Sequence, residues 1–99
     1  MVRLLKVSYK FDYSEEKDLV LIETRNIGFQ DIINSISKGG LLDNLDHPSQ
    51  KKHKGQKLFV VKIGRYIYVV PYIIDREKKI IFLKTLYPSR KMTSKYLRR

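Results

Sequence analysis

Leu58-Phe59-Val60-Val61-Lys62-Ile63-Gly64-Arg65-Tyr66-Ile67-Tyr68-Val69-Val70-Pro71-Tyr72-Ile73-Ile74 sets two apolar runs, rich in β-branched and aromatic residues, around one Gly-Arg pair. Such runs form strands, and a two-residue connection with glycine able to take a positive φ is a hairpin signal. Leu58 to Ile63 and Tyr66 to Ile74 therefore read as paired strands. Pro71 has no N–H for the ladder and predicts an edge or a bulge in the second of them. If Phe59, Val61 and Ile63 face the core, then Leu58, Val60 and Lys62 face the other way.

Downstream, Asp75-Arg76-Glu77-Lys78 is the next turn and Lys79 to Tyr87 a third antiparallel strand, in which Ile80, Phe82, Lys84 and Leu86 oppose Ile81, Leu83, Thr85 and Tyr87. Pro88 ends that strand, and Ser89 is a fair N-cap for a terminal helix reaching Leu97. Arg90 and Lys91 fall on its first turn. The helix dipole disfavours cations there unless an anion sits between them and the free N–H groups, which suits a phosphate. Lys95 adds a cation one turn later. The plainer alternative is a solvated basic terminus.

Upstream, Leu41 to Gln56 keeps neither period and contains Pro48, Gly55 and a charge run, so it reads as a long loop of a functional or mobile kind. Both histidines, His47 and His53, lie in it. Before it, Phe29, Ile32, Ile33 and Ile36 recur at i, i+3, i+4 and i+7, an amphipathic helix closed by Gly39-Gly40. Ser14 followed by Glu15, Glu16 and Asp18 opens another helix running to about Arg25, with Leu19, Val20, Leu21 and Ile22 as a broad apolar face. Alternation from Arg3 to Phe11 marks a first strand at residues 3–11. The expected fold is α+β, with strand, helix, helix, three antiparallel strands and a short C-terminal helix forming a single domain over 1–99.

Ninety-nine residues, 42% of them hydrophobic, with seven Tyr and four Phe, suffice for one core. The absence of cysteine excludes disulfides and thiolate metal sites and fits a reducing compartment. No apolar run approaches the roughly 20 residues of a bilayer-crossing helix. The start is a charge-broken strand pattern rather than a signal peptide, so the expected location is the cytoplasm, with no membrane partner. No His/Asp/Glu cluster has ligand spacing, and Gly39-Gly40 is not followed by the Lys-Ser/Thr of a phosphate-cradling loop, so neither metal nor cofactor is expected.

The net charge of +11 is one-sided: residues 1–50 hold 6 Lys and Arg against 8 Asp and Glu, residues 51–99 hold 15 against 2. Such asymmetry points to a polyanion, most often nucleic acid, or to an acidic protein. Lys62 and Lys84 interrupt otherwise apolar strands. Either they snorkel at a sheet rim, or Lys84, Arg90 and Arg65 border a concave sheet face on which Tyr66, Tyr68 or Tyr72 stack bases. Lys52, His53, Lys62, Lys91 and Lys95 extend this RNA-binding set.

The order of elements resembles the RelE/ParE-like toxins of toxin-antitoxin pairs, and among them the BrnT toxins. Phe11-Asp12-Tyr13-Ser14-Glu15-Glu16-Lys17 is similar to the F-x-W-D-x-x-K opening of BrnT, and Arg25-Asn26-Ile27-Gly28-Phe29-Gln30-Asp31 to its helix junction. Ile63-Gly64-Arg65 resembles its I-G-R hairpin, and Ser89-Arg90-Lys91-Met92-Thr93 its closing S-A-R-x-A-T. Tyr96 stands near the place of the usual closing Glu, and His47 to Gln56 is more basic than the acidic stretch typical there. The resemblance implies a metal-independent endoribonuclease that blocks translation. It also implies an acidic or ribbon-helix-helix antitoxin as partner, in a toxin-antitoxin hetero-oligomer.

Metal-free RNA cleavage requires removal of the 2′-hydroxyl proton, stabilisation of a phosphorane-like transition state and a proton for the leaving 5′-oxygen. Arg90 is the first candidate for phosphate stabilisation, because its planar fork holds two oxygens. His47 is the candidate acid or base, although a His before Pro in a loop can equally serve to bond backbone. Lys84 and Tyr87 complete the catalytic set as a second cation and a hydroxyl, with Lys52 and His53 behind them. Two other readings stay open: a nucleic-acid-binding module without catalysis, and a ParE-like, gyrase-directed toxin acting by protein binding.

Overall fold

The computed structural model describes residues 9–97, so the expected strand at residues 3–11 lies largely outside the described residues. What is described is an α+β chain in the order β1 (Lys10–Tyr13), α1 (Glu15–Arg25), α2 (Phe29–Ser37), β2 (Leu41–Asp46), β3 (Lys57–Ile63), β4 (Tyr66–Asp75), β5 (Ile80–Leu83), β6 (Tyr87–Pro88) and α3 (Arg90–Leu97). The strands form one mixed sheet, ordered β1-β5-β4-β3-β2, with β6 pairing β4. All pairs are antiparallel except β1 with β5, which is parallel.

The hairpin forms as its sequence dictates. Ile63 pairs with Tyr66, and Gly64 takes φ +60 at the first central position, the pattern of a type II′ turn. In register, Phe59 and Val61 share a sheet face with Val70, Tyr72, Ile81 and Leu83, and on that face they meet Leu21, Phe29, Ile32 and Ile36 of the first two helices. Ser14 Oγ accepts from the Lys17 N–H to start α1, and Asn26 ends it at φ 58. Gly28 leads into α2 with the Asp31 carboxylate accepting its N–H. A Cβ at Gly40 would collide with Ser35 Oγ, so glycine lets β2 enter beside the end of α2.

Four expectations change. Leu41 to Asp46 is a strand rather than loop; a bulge between Leu41 and Asp43 shifts its register on β3 and erases the alternation that would have revealed it. Of the expected α1 face only Leu21 is buried, while Leu19, Val20 and Ile22 are 63%, 53% and 44% exposed. The expected strand from Lys79 to Tyr87 is two pieces, β5 and β6, separated at Lys84 to Leu86.

That break explains Pro71, which is at neither an edge nor a bulge. Its carbonyl accepts from Lys84 N–H at 2.8 Å, so its N–H-less nitrogen also faces the side where the ladder on β4 is interrupted between β5 and β6. Beyond β6, Ser89 N–H donates to Ile67 O at 2.9 Å and Ile67 N–H donates to Thr93 Oγ1 at 2.9 Å. Residues 80–93 thus cover the whole outer side of β4. From there α3 crosses toward β2, where the Tyr96 hydroxyl donates to Asp43 Oδ2 at 2.6 Å, over the second face that Val60, Ile67 and Val69 make apolar.

Candidate nucleic-acid interface

The β4 edge sets out three of the expected site residues in a row. Lys84 is level with Pro71, Tyr87 pairs with Val69, and Arg90 follows the Ser89 that bonds Ile67. Each step advances two residues of β4, about 7 Å at strand rise. Arg90 opens α3 because Ser89 caps it, its hydroxyl accepting from Met92 N–H at 3.1 Å and its carbonyl from Thr93 N–H. Lys84 and Arg90 are exposed cations. Burial raises the Tyr87 phenol above its ordinary value, so it is a proton donor at neutral pH and not a base.

At the hairpin end, Lys62, Gly64, Arg65 and Tyr66 line an open groove of about 500 Å³ with Thr93 and Leu97 of α3. Lys91 and Lys95 are exposed on that helix. Lys62 and Gly64 also border a second groove of about 520 Å³, beside Lys38 and the Ser35–Gly40 contact. The Tyr66 and Tyr68 rings meet edge to face with centroids 6.2 Å apart. Both rings are half-buried, but Tyr68 packs against the core while Tyr66 lines the groove, which makes Tyr66 the better placed ring for stacking. Tyr72 cannot stack a base, since it is fully buried against Phe59 with ring centroids 3.8 Å apart. Burial pushes its phenol up to about 12 although its hydroxyl reaches Asn44 Oδ1 at 2.6 Å.

The loop from His47 to Gln56 stands at the other end of β3, six residues or about 20 Å from the hairpin. It is a closed unit. His47 N–H donates to Gln56 O, Gln50 Nε2 donates to the carbonyls of both, and Gly55 N–H donates to Gln50 Oε1. The two imidazoles stack with centroids 4.2 Å apart. Ser49 N–H donates to His47 Nδ1 at 3.0 Å, which leaves the proton of the neutral ring on Nε2. Desolvation, and next the charge of His53, hold His47 below its ordinary value. The ring thus offers an N–H and no free lone pair. Lys52 is exposed on the same loop.

The fold brings together Lys84, Tyr87 and Arg90, and separately Lys62, Arg65 and Tyr66 with α3. It sets His47, His53 and Lys52 away from the Arg65 groove and from the Arg90 end of the row, whereas Lys84, level with Pro71 and Leu58, lies toward their end of the sheet. His47 lies beyond Lys57, which pairs with Tyr72, five residues or about 17 Å along the strand from Ile67 and Arg90. Sequence reasoning missed Thr93 and Leu97, whose place in the groove depends on the angle at which α3 crosses the sheet. It also missed a cavity of about 300 Å³ beyond Lys84, lined by Ile73, Ile80 and Phe82. Compared with protein-family models, with curated proteins and with solved structures, the chain matches none.

Proposed function

We propose that the protein is an RNA-binding endoribonuclease of the toxin kind, inhibiting translation, with its RNA path along Lys84, Tyr87 and Arg90 and on to the Arg65 groove. One observation carries this reading: among the described residues one ion pair forms, Lys57 with Asp46 at 2.8 Å, so the other described cations of the second half carry no carboxylate partner among those residues. Arg90 and Lys84 would stabilise charge on the phosphorane-like transition state, Tyr87 would donate to the leaving 5′-oxygen, and the 2′-hydroxyl proton would pass to solvent water, since no side chain of the row is a base. Metal is not required by this arrangement. A cytoplasmic setting and an acidic or ribbon-helix-helix antitoxin, covering the basic surface in a hetero-oligomer, complete the proposal.

The test is incubation of the purified protein with bulk RNA in EDTA. Arg90→Lys keeps the charge but loses the fork, and is expected to slow cleavage by about one to three powers of ten while RNA binding changes little. Binding itself should weaken steeply with salt as neutralised phosphates regain counterions. A second reading, RNA binding without cleavage, is favoured by the separation of the histidines from Arg90 and by a row that contains no neutral base. Wild-type protein that binds RNA in low salt but leaves it intact, with translating ribosomes included, establishes that reading instead. Absence of RNA binding turns the surface over to an acidic protein partner.

A further inference from the structure

Beyond Lys84, on the face of the sheet opposite α1 and α2, lies the cavity of about 300 Å³, at the lower end of ligand-pocket size. Its floor is apolar, made by Ile73, Ile80 and the half-buried ring of Phe82, and its rim carries the carboxylates Asp12 and Asp75 and the cations Lys78 and Lys84. Both carboxylates are oriented by backbone. Asp12 Oδ1 accepts from Tyr13 N–H at 2.8 Å and Asp75 Oδ1 from Lys78 N–H at 3.0 Å. Their Oδ2 atoms have no hydrogen-bond partner among the described residues, and neither carboxylate is ion-paired there.

We propose that this cavity receives the nucleobase beside the phosphate held at Lys84, and that it selects guanine. The inference rests on the RNA-binding reading above. An ionised carboxylate only accepts hydrogen bonds, so the rim favours a base edge that presents N–H donors. Guanine offers two side by side, N1–H and the N2 amino group. Cytosine and adenine offer one amino group each, and uracil a single N3–H flanked by two carbonyls that the carboxylates repel. Phe82 supplies the face on which the ring stacks, and Lys84 supplies the cation for its phosphate.

The experiment compares 5′-GMP with 5′-UMP by calorimetric titration of the whole chain in low salt, the phosphate being the same in both. Wild-type protein is expected to bind GMP about tenfold more tightly. Asp12→Asn and Asp75→Asn each keep an acceptor oxygen for the backbone bond and put an amide donor within reach of the free position, and each should bring GMP down toward UMP. Equal affinity for the two nucleotides in the wild type, or binding of neither, overturns the pocket even if bulk RNA is bound. Preference for GMP without bulk RNA binding upholds the pocket as a nucleotide site and removes the RNA path.

Discussion

Tyr96 and Asp43 are 53 positions apart and yet share a hydrogen bond of 2.6 Å that fastens the last turn of α3 to the edge strand β2. The phenol donation first, then the Asn44 N–H, and weakly the Lys95 charge, lower the Asp43 carboxyl from its ordinary 3.8. The same bond raises Tyr96. A carboxyl depressed by folding adds stability that is present above its ordinary value and lost as pH falls through the depressed one. Acidification from the ordinary 3.8 down through the depressed value is therefore expected to free α3 from β2. Tyr96→Phe should raise the Asp43 titration midpoint toward its ordinary value, followed by carboxyl NMR, and should lower stability by about 1 kcal/mol, the net value of one such bond. An unmoved midpoint would mean that the two side chains do not meet in solution.

Two helices of similar length differ in how their sequences betray their packing. In α2 the apolar residues fall on one stripe, and Phe29, Ile32 and Ile36 are indeed buried, with Ile33 half-buried at its margin. In α1 four consecutive apolar residues span about 300° of the helix, so no single face can cover them all. Ile32→Asp is expected to unfold the domain, since it buries an unpaired charge at a cost of several kcal/mol. Leu19→Asp, at 63% exposure, should leave the thermal midpoint within a few degrees of wild type by calorimetry. The hairpin, the start of α1, the apolar stripe of α2 and the Ser89 cap were legible because each rests on residues within a few positions of one another. β2 was hidden by its bulge, and the split between β5 and β6 by the unbroken alternation of Ile80 to Tyr87. Among site candidates, charge pattern alone pointed to Lys84, Arg65 and Arg90. Their alignment was not legible, since it depends on where the chain leaves β5 and rejoins β4. The burial of Tyr72 had a signal, as it alternates in step with Val70, opposite Phe59 on the core face.

For the whole molecule, the decisive pairing is β1 with β5, which sets Lys10 opposite Ile80 and Tyr13 opposite Leu83. The ladders from β2 to β5 join neighbours in sequence, whereas this one closes a loop of 70 positions. Local pairings form early and distant ones late, so the meander is expected to be built in the folding transition state and β1 to dock after it. Phe11→Ala should then speed unfolding with little change in refolding rate, while Val60→Ala should slow refolding, both read from stopped-flow chevrons. Equal slowing of refolding by the two would place β1 in the nucleus. During synthesis the same geometry imposes a wait. At about 5–20 residues per second, β1 leaves the ribosome roughly 4–14 s before its partner strand exists, and through that interval the nascent segment is open to chaperones and to any other chain that offers it an edge.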